Sequence, residues 1–151
     1  MSEVNHLFDA AMAFRSPASA AITASETVGE LPLDKLVNVR PSSQSGKLGA
    51  QCYKLILKIE DAAFVTEYVA PDPELEIEEE LPEAYTVTLE SGAAGATDTA
   101  LITFEVTGPG IYTFPLDAST IEKVDASHEA VALKLAIEGD APSIKLAAWV
   151  L

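Results

Sequence analysis

Apolar and polar residues alternate with a period of two from residue 53 onward. The pattern is clearest at 53–60, where Tyr53, Leu55, Leu57 and Ile59 are separated by Lys54, Ile56 and Lys58. Because successive side chains of a β-strand point to opposite faces, this pattern predicts a strand with one buried face. Four later segments repeat the alternation, and one short apolar run is typical of a further strand. These segments are 85–90, 102–107, 131–138 and 144–150, with 111–114 as the further run.

Turn-forming residues separate the predicted strands. The run at 91–95 predicts a flexible loop, and Gly108-Pro109-Gly110 predicts a tight reversal between two adjacent strands. Weaker strands near residues 22 and 37 bring the total to about eight, and no helical pattern lies between them. We therefore expect an all-β fold, an antiparallel β-sandwich of the jelly-roll or Greek-key type.

Residues 1–50 are less regular. The spacing of Leu7, Ala11 and Phe14 predicts one short helix, or an arm that becomes ordered only against a partner. Prolines and a serine-rich run interrupt the rest of this segment. We expect an extended N-terminal arm with the first strands at 1–50 and a β-sandwich body at 51–151, within a single domain.

The acidic residues are concentrated in one part of the chain. The 151 residues include 24 acidic and 9 basic ones, a formal net charge of −15. Residues 60–83 hold 10 acidic residues and no basic residue, whereas 1–59 have a net charge of +1. Because phosphate binding depends mainly on lysine and arginine, this balance argues against a nucleic-acid partner. We interpret the proline-flanked run at 71–83 as a solvated loop, with cation binding by its carboxylates as the alternative.

Neither a membrane span nor a secretory leader is expected. No stretch approaches the roughly 18 consecutive apolar residues of a span, and the first residues include Glu3 where a leader has lysines. Cys52 is the single cysteine, so it has no internal disulfide partner, and its apolar neighbours predict a buried, inert thiol. A protein of this kind is typical of a reducing cytoplasm.

Residue types that commonly carry catalysis are sparse. The two histidines, His6 and His128, accompany no Gly-x-Ser-x-Gly motif, and the chain has no glycine-rich phosphate loop. The clustered strand histidines of a metal-binding cupin are also missing. We therefore expect no enzymatic activity, no catalytic residue, no cofactor and no metal. His128 is expected to be exposed or hydrogen bonded.

Four segments of the chain carry a resemblance to a known family. They are an alanine- and serine-rich lead-in at 18–25, a core strand at 54–59, a strand at 86–91 followed by small residues, and a closing strand at 144–151. In this organisation the chain resembles the cement or decoration proteins of tailed bacteriophages, which are small, cysteine-poor jelly rolls that bind over the joints between capsid subunits. The resemblance implies a virion structural protein on the capsid surface, made in the host cytoplasm. Its implied partners are the major capsid protein and further copies of the chain, as a dimer or trimer.

Such a protein would act through its contact surfaces. We predict that the near-neutral N-terminal arm faces the shell or a neighbouring copy, while the acidic loop faces solvent. The predicted contact residues are Leu7, Phe8, Met12, Phe14, Arg15, Ile22, Arg40 and Trp149.

Trp149 also leaves a second interpretation open. Alternation places it on the opposite face of the last strand from Leu146 and Val150, where it is either a subunit or inter-sheet contact or a platform for a sugar ring. The alternatives to capsid decoration are therefore a carbohydrate-binding jelly-roll module and a tail- or fibre-associated virion module.

Overall fold

The computed structural model describes residues 10–33, 36, 53–116, 120 and 122–151. Within these residues the chain forms eight β-strands and one 3-10 turn at Ala10–Met12. The strands are β1 (Ala13–Arg15), β2 (Glu26–Pro32), β3 (Lys54–Ala62), β4 (Ala84–Ala93), β5 (Ala96–Glu105), β6 (Gly110–Pro115), β7 (Ala130–Glu138) and β8 (Ile144–Val150).

The strands form two antiparallel sheets. One has the order β1-β8-β3-β6 and the other β2-β7-β4-β5, so each sheet interleaves early and late strands, which is the order of a jelly roll. The expected all-β antiparallel sandwich is thereby confirmed. Because β1 pairs with β8 and β2 with β7, the first strands belong to the same two sheets as the rest of the body.

A continuous apolar core fills the space between the sheets. In β3 the alternation places Leu55, Leu57 and Ile59 in this core, each no more than 2% exposed. The same alternation operates in three other strands and adds Tyr85, Val87, Leu89, Val131, Leu133, Leu135, Ile144, Leu146, Ala148 and Val150. Burial of a large apolar side chain contributes roughly 1.5–3 kcal/mol, so these alternating positions are a main source of stability.

In the described part of the N-terminal arm, the segment predicted to be helical contains the short 3-10 turn Ala10–Met12. The helical spacing ends there, since Ala13–Arg15 is strand β1 and pairs with Trp149 and Ala148 of β8. A helix of this length is marginal on its own, and pairing with a sheet edge outweighs it.

Gly108-Pro109-Gly110 does reverse the chain, but the prediction that it joins two adjacent strands is wrong. It connects β5, at the edge of one sheet, to β6, at the edge of the other. Phe104 of β5 packs against Tyr112 and Phe114 of β6, with ring centroids 4.6 and 5.2 Å apart. Aromatic packing across the open side of the sandwich, rather than a strand ladder, therefore holds these two edges together.

Three other predicted segments also differ in detail. The flexible loop predicted at 91–95 is a tight hairpin, because Ala93 of β4 pairs directly with Ala96 of β5. The weak strand predicted from residue 22 begins later, as β2 at Glu26, and Ile22 itself forms a single pair with Ile144 through backbone hydrogen bonds of 2.7 and 3.0 Å. The strand predicted near residue 37 and the thiol of Cys52 lie outside the described residues.

Strands β1 and β2 approach each other closely at Gly29. A Cβ atom added at this position would overlap the carbonyl oxygen of Phe14 and lie 2.8 Å from its carbonyl carbon. The absence of a side chain at Gly29 therefore lets the short strand β1 lie against the opposite sheet.

Candidate functional site

Most of the described contact residues predicted in the N-terminal arm lie inside the sandwich. Phe14 and Ile22 are 6% and 4% exposed and pack in the core, and Met12 is half-buried against the same core. Three of the predicted contacts lie outside the described residues: Leu7, Phe8 and Arg40. Phe14 and Ile22 therefore present almost no surface to a partner in this fold.

Arg15 is used within the chain. Its Nη2 donates a hydrogen bond to the carbonyl oxygen of Ala20 at 2.5 Å, and Nη1 lies 3.6 Å from Glu26 Oε1. These contacts hold the turn after β1 against the start of β2.

Trp149 occupies the outer face of its sheet, as the alternation predicted. It packs with Ile56 and Ala147, away from the main core, and only 2% of its surface is exposed. A ring enclosed to this degree cannot stack on a sugar, so Trp149 does not form a carbohydrate platform in this fold.

Ser91 and His128 lie close enough to suggest a nucleophile and a base. The Ser91 hydroxyl is 2.9 Å from His128 Nδ1, which also accepts a hydrogen bond from the Asp125 N–H at 3.1 Å. Ser91, however, is 0% exposed, so no substrate reaches its oxygen. The pair instead fastens the loop before β7 to the end of β4, and the predicted hydrogen-bonded role of His128 is confirmed.

The same loop contains a stabilised carboxylate. The Ser127 N–H and hydroxyl donate hydrogen bonds of 2.9 and 2.8 Å to Asp125 Oδ1. These bonds outweigh burial and lower the pKa of Asp125 below its ordinary value of 3.8.

Residues 63–83, between β3 and β4, form a projecting element that we call the acidic hairpin. Backbone hydrogen bonds pair Val69 with Glu80 at 3.0 and 3.1 Å, and Asp72 with Ile77 at 3.0 and 2.9 Å. The four residues between the second pair form the tip. The segment predicted as a solvated loop is therefore exposed but has a defined antiparallel backbone.

A buried carboxylate closes the base of the acidic hairpin. Glu83 is 3% exposed and accepts hydrogen bonds from the Thr66 hydroxyl at 3.0 Å, the Thr66 N–H at 3.1 Å and the Val65 N–H at 3.2 Å. Burial by itself raises the pKa of Glu83, but the hydrogen bonds favour the ionised form and bring the pKa below its ordinary value of 4.5.

Tyr85 ties the start of the acidic hairpin to the opposite sheet. This fully buried side chain donates a hydrogen bond from its hydroxyl to the Ala63 carbonyl oxygen at 2.7 Å and accepts one from the Ser143 N–H at 3.0 Å. Its ring also meets Phe64 in an edge-to-face contact, with centroids 5.4 Å apart. Both chain ends of the hairpin are thus fixed to the sandwich.

The end of the acidic hairpin also packs against the turn after β7. Gly139 has φ 106°, and a Cβ added there would lie 2.7 Å from the backbone nitrogen of Glu83. Only glycine combines this conformation with so close an approach.

The acidic hairpin exposes hydrophobic side chains along its length. Among the described residues, six of the eight large hydrophobic side chains that are exposed lie between 64 and 81. They are Phe64 (47%), Val65 (71%), Tyr68 (59%), Leu75 (68%), Ile77 (41%) and Leu81 (45%). Such a concentration of apolar surface is typical of an interaction site rather than of a solvated loop.

The carboxylates of the acidic hairpin border an open groove of about 310 Å³, lined by Thr66, Glu78, Glu79, Glu80 and Asp140. In the part of the chain that the structure describes, no three His, Cys, Asp or Glu side chains come together in a way that could hold a metal ion. The groove therefore supplies no preformed cation site.

A second shallow concavity, of about 480 Å³, lies on the outer face of the sheet that contains β2, β7 and β4. Lys134 crosses it to form an ion pair with Glu90 at 2.7 Å and a hydrogen bond to the Thr97 carbonyl oxygen at 2.8 Å. The two charged groups Lys134 and Glu90 are thus paired with each other.

No family model, curated protein or solved structure matches this chain. Among the described residues, no helix has the length and apolar character needed to cross a membrane.

Proposed function

We propose that the chain is a non-enzymatic structural subunit of a virion, a capsid decoration or cement protein that binds over joints between major capsid proteins and stabilises the shell. The observation that carries this proposal is the concentration of exposed apolar side chains on one projecting element of a jelly roll. Jelly rolls form viral capsid domains as well as lectins and cupins, so the fold is compatible with this role without specifying it.

The surface chemistry supports a role in assembly. Specific protein interfaces combine an aromatic and aliphatic centre with a polar rim. The acidic hairpin presents both components, with Tyr68 and Leu81 exposed among carboxylates. Because its two ends are fixed to the sandwich, binding through it would require little additional ordering of the chain.

The carbohydrate-binding alternative is not favoured. Its predicted platform, Trp149, is enclosed within the chain, and the concavity on the sheet that contains β7 is lined by no aromatic side chain among the described residues. The tail- or fibre-associated alternative shares the expected fold and is separated from capsid decoration by location.

Particle purification tests the proposal. A lysate of the cells that produce the protein is fractionated on a density gradient. An antibody against the chain should detect it in the fractions that contain capsids. Immunoelectron microscopy should then label the capsid surface, and particles made without the chain should lose their contents at lower temperature. Recovery of the protein only in the particle-free fractions would contradict the proposal, and labelling confined to the tail would favour the tail-associated alternative.

The oligomeric state of the free protein can also be measured. As part of the proposal we expect a homo-oligomer, a dimer or a trimer, because repeated attachment around a symmetric joint is strengthened by multivalency. Light scattering of the purified chain, alone and mixed with empty shells, measures this state. A monomer both in solution and on the shell would contradict it.

A further inference from the structure

We propose that the acidic hairpin is the attachment surface, and that it docks on a protein surface whose basic side chains surround an apolar depression. This inference rests on the proposed function, because it names the surface through which the subunit would bind its shell. It replaces the sequence-based prediction that the N-terminal arm faces the shell while the acidic segment faces solvent.

The register of the acidic hairpin brings two of its exposed apolar side chains together. Tyr68 precedes Val69 and Leu81 follows Glu80, and Val69 and Glu80 are a hydrogen-bonded pair. The same register, continued by one residue, places Tyr68 across from Leu81. Side chains opposite each other in an antiparallel pair lie on one face, with Cβ atoms roughly 4.5–5.5 Å apart. Since they are 59% and 45% exposed, they form an apolar pair open to a partner.

No basic side chain in the described part of the chain forms an ion pair with the acidic hairpin. Residues 63–83 carry eight carboxylates and no basic residue. Among the described residues, the ion pairs are Arg15–Glu26, Lys134–Glu90 and Lys145–Glu60, none of which includes a carboxylate of the hairpin. Lysine or arginine side chains of a partner would therefore find unpaired carboxylates around the apolar side chains, which is the arrangement that gives electrostatic complementarity.

The same charge excludes one possible occupant. The hairpin of a second copy would bring eight more carboxylates into contact with the first, and like charges at an interface repel. The surface is therefore suited to a different, basic protein surface, whereas contacts between copies would use the remainder of the molecule.

Anchoring of the base favours specific docking over loose association. Glu83 binds Thr66 and Val65, and the Tyr85 hydroxyl binds Ala63, so the exposed residues project from a fixed base. A surface that is already ordered loses less conformational entropy when it binds.

Two synthetic peptides of equal charge test the chemistry with the full chain. One alternates lysine with leucine, and the other alternates lysine with serine. The wild-type chain should bind the lysine–leucine peptide more tightly, and binding of both should weaken as the salt concentration rises from about 0.05 M to about 0.5 M. Equal binding of the two peptides, or binding that salt does not affect, would overturn the inference.

Paired variants locate the binding surface. The double variant Tyr68→Ser/Leu81→Ser should bind the lysine–leucine peptide on the order of tenfold more weakly. The matched control is Ile111→Ser, since Ile111 is 49% exposed on β6, outside the acidic hairpin, and its substitution should leave the affinity unchanged. An equal loss in the control, with both proteins folded by circular dichroism, would overturn the inference.

Charge variants test the contribution of the carboxylates of the acidic hairpin. Replacing Glu74, Glu76 and Glu78 by glutamine should reduce the salt dependence of binding more than the same replacement at three exposed carboxylates elsewhere. The control positions are Glu105, Glu122 and Glu138. An equal effect of the two triple variants would mean that net charge, rather than the hairpin, attracts the peptide, and would contradict the proposed surface.

Sedimentation with empty shells separates this inference from the proposed function. If wild-type chain coats the shells and Tyr68→Ser/Leu81→Ser coats them equally well, the decoration role stands and the hairpin is not the attachment surface. If wild-type chain stays off the shells but distinguishes the two peptides through Tyr68 and Leu81, the decoration role fails and the chemistry of the hairpin stands.

Discussion

Both carboxylate oxygens of Glu83 accept hydrogen bonds from Thr66. Oε1 lies 3.0 Å from the Thr66 hydroxyl, and Oε2 accepts the Thr66 N–H at 3.1 Å. The two residues lie 17 positions apart, so this contact closes the base of the acidic hairpin. One acidic residue of the hairpin is thereby buried and fixes its base, while most of the other carboxylates are exposed.

This contact predicts a pH-dependent contribution to stability. Since the folded pKa of Glu83 is lower than its ordinary value of 4.5, the unfolded chain takes up the proton first. The stabilisation is complete above that value and is lost as the pH falls through the lowered folded pKa. The difference in melting temperature between wild type and Glu83→Gln should therefore be largest near neutral pH and shrink below about pH 4.5.

The matched control for this pH series is Glu79→Gln, which removes an exposed carboxylate from the same hairpin. Its melting temperature should stay close to that of the wild type throughout the series. If the Glu83→Gln difference is the same at every pH, the ionised carboxylate does not hold the hairpin.

Tyr85→Phe should destabilise the sandwich by about 1–3 kcal/mol. The substitution removes the hydroxyl that donates a hydrogen bond to the Ala63 carbonyl oxygen and accepts one from the Ser143 N–H. Because the Tyr85 side chain is fully buried, both of these backbone groups would lose a partner. Urea denaturation measures the free energy of unfolding. The control is Tyr112→Phe, whose hydroxyl bonds to Gly108 at 3.0 Å from a half-buried position, and a smaller loss is expected there. Equal losses would contradict the bridging role of Tyr85.

Gly29→Ala should destabilise the fold strongly, although it adds only one methyl group. The added methyl group would overlap backbone atoms of Phe14, which cannot rotate away as a side chain can. Overpacking of this kind costs about 1–3 kcal/mol or more. The control is Gly108→Ala, where a Cβ meets no atom within 4 Å. Thermal denaturation should show a large decrease for the first and little change for the second; similar melting temperatures would mean that β1 does not pack against β2.

The strands were predictable because burial on one face leaves a local signature. In β3 every second residue enters the core, and this is visible from the sequence alone. Pairing between strands has no comparable local signature, which is why the turn at Gly108-Pro109-Gly110 gave no indication that it crosses from one sheet to the other. The same limit applies to the segment around Phe14, whose helical spacing to Ala11 does not reveal that Ala13 and Arg15 pair with β8.

The sequence contains a partial indication of the exposed apolar side chains of the acidic hairpin. The run Glu74-Leu75-Glu76-Ile77-Glu78 alternates acidic and apolar residues, as a half-buried strand does. The high charge of this run favours its interpretation as a solvated loop. The alternation alone cannot show whether the apolar face packs in the core or is left exposed. The exposure of Leu75 and Ile77 appears only in the folded chain, and it is what supports the proposal that this segment is an interaction surface.

The burial of Trp149 predicts its fluorescence, because it is the sole tryptophan and therefore the only indole that emits. Packed with Ile56 and Ala147 and 2% exposed, it should emit at shorter wavelength than free tryptophan and resist quenching by iodide. Added sugars should leave its emission unchanged. Unfolded chain in urea is the internal control, since exposure there should shift the emission to longer wavelength and restore quenching. Because an enclosed ring cannot contact a ligand, a change on adding sugars to the folded chain would contradict the enclosure of Trp149 and support the carbohydrate-binding alternative.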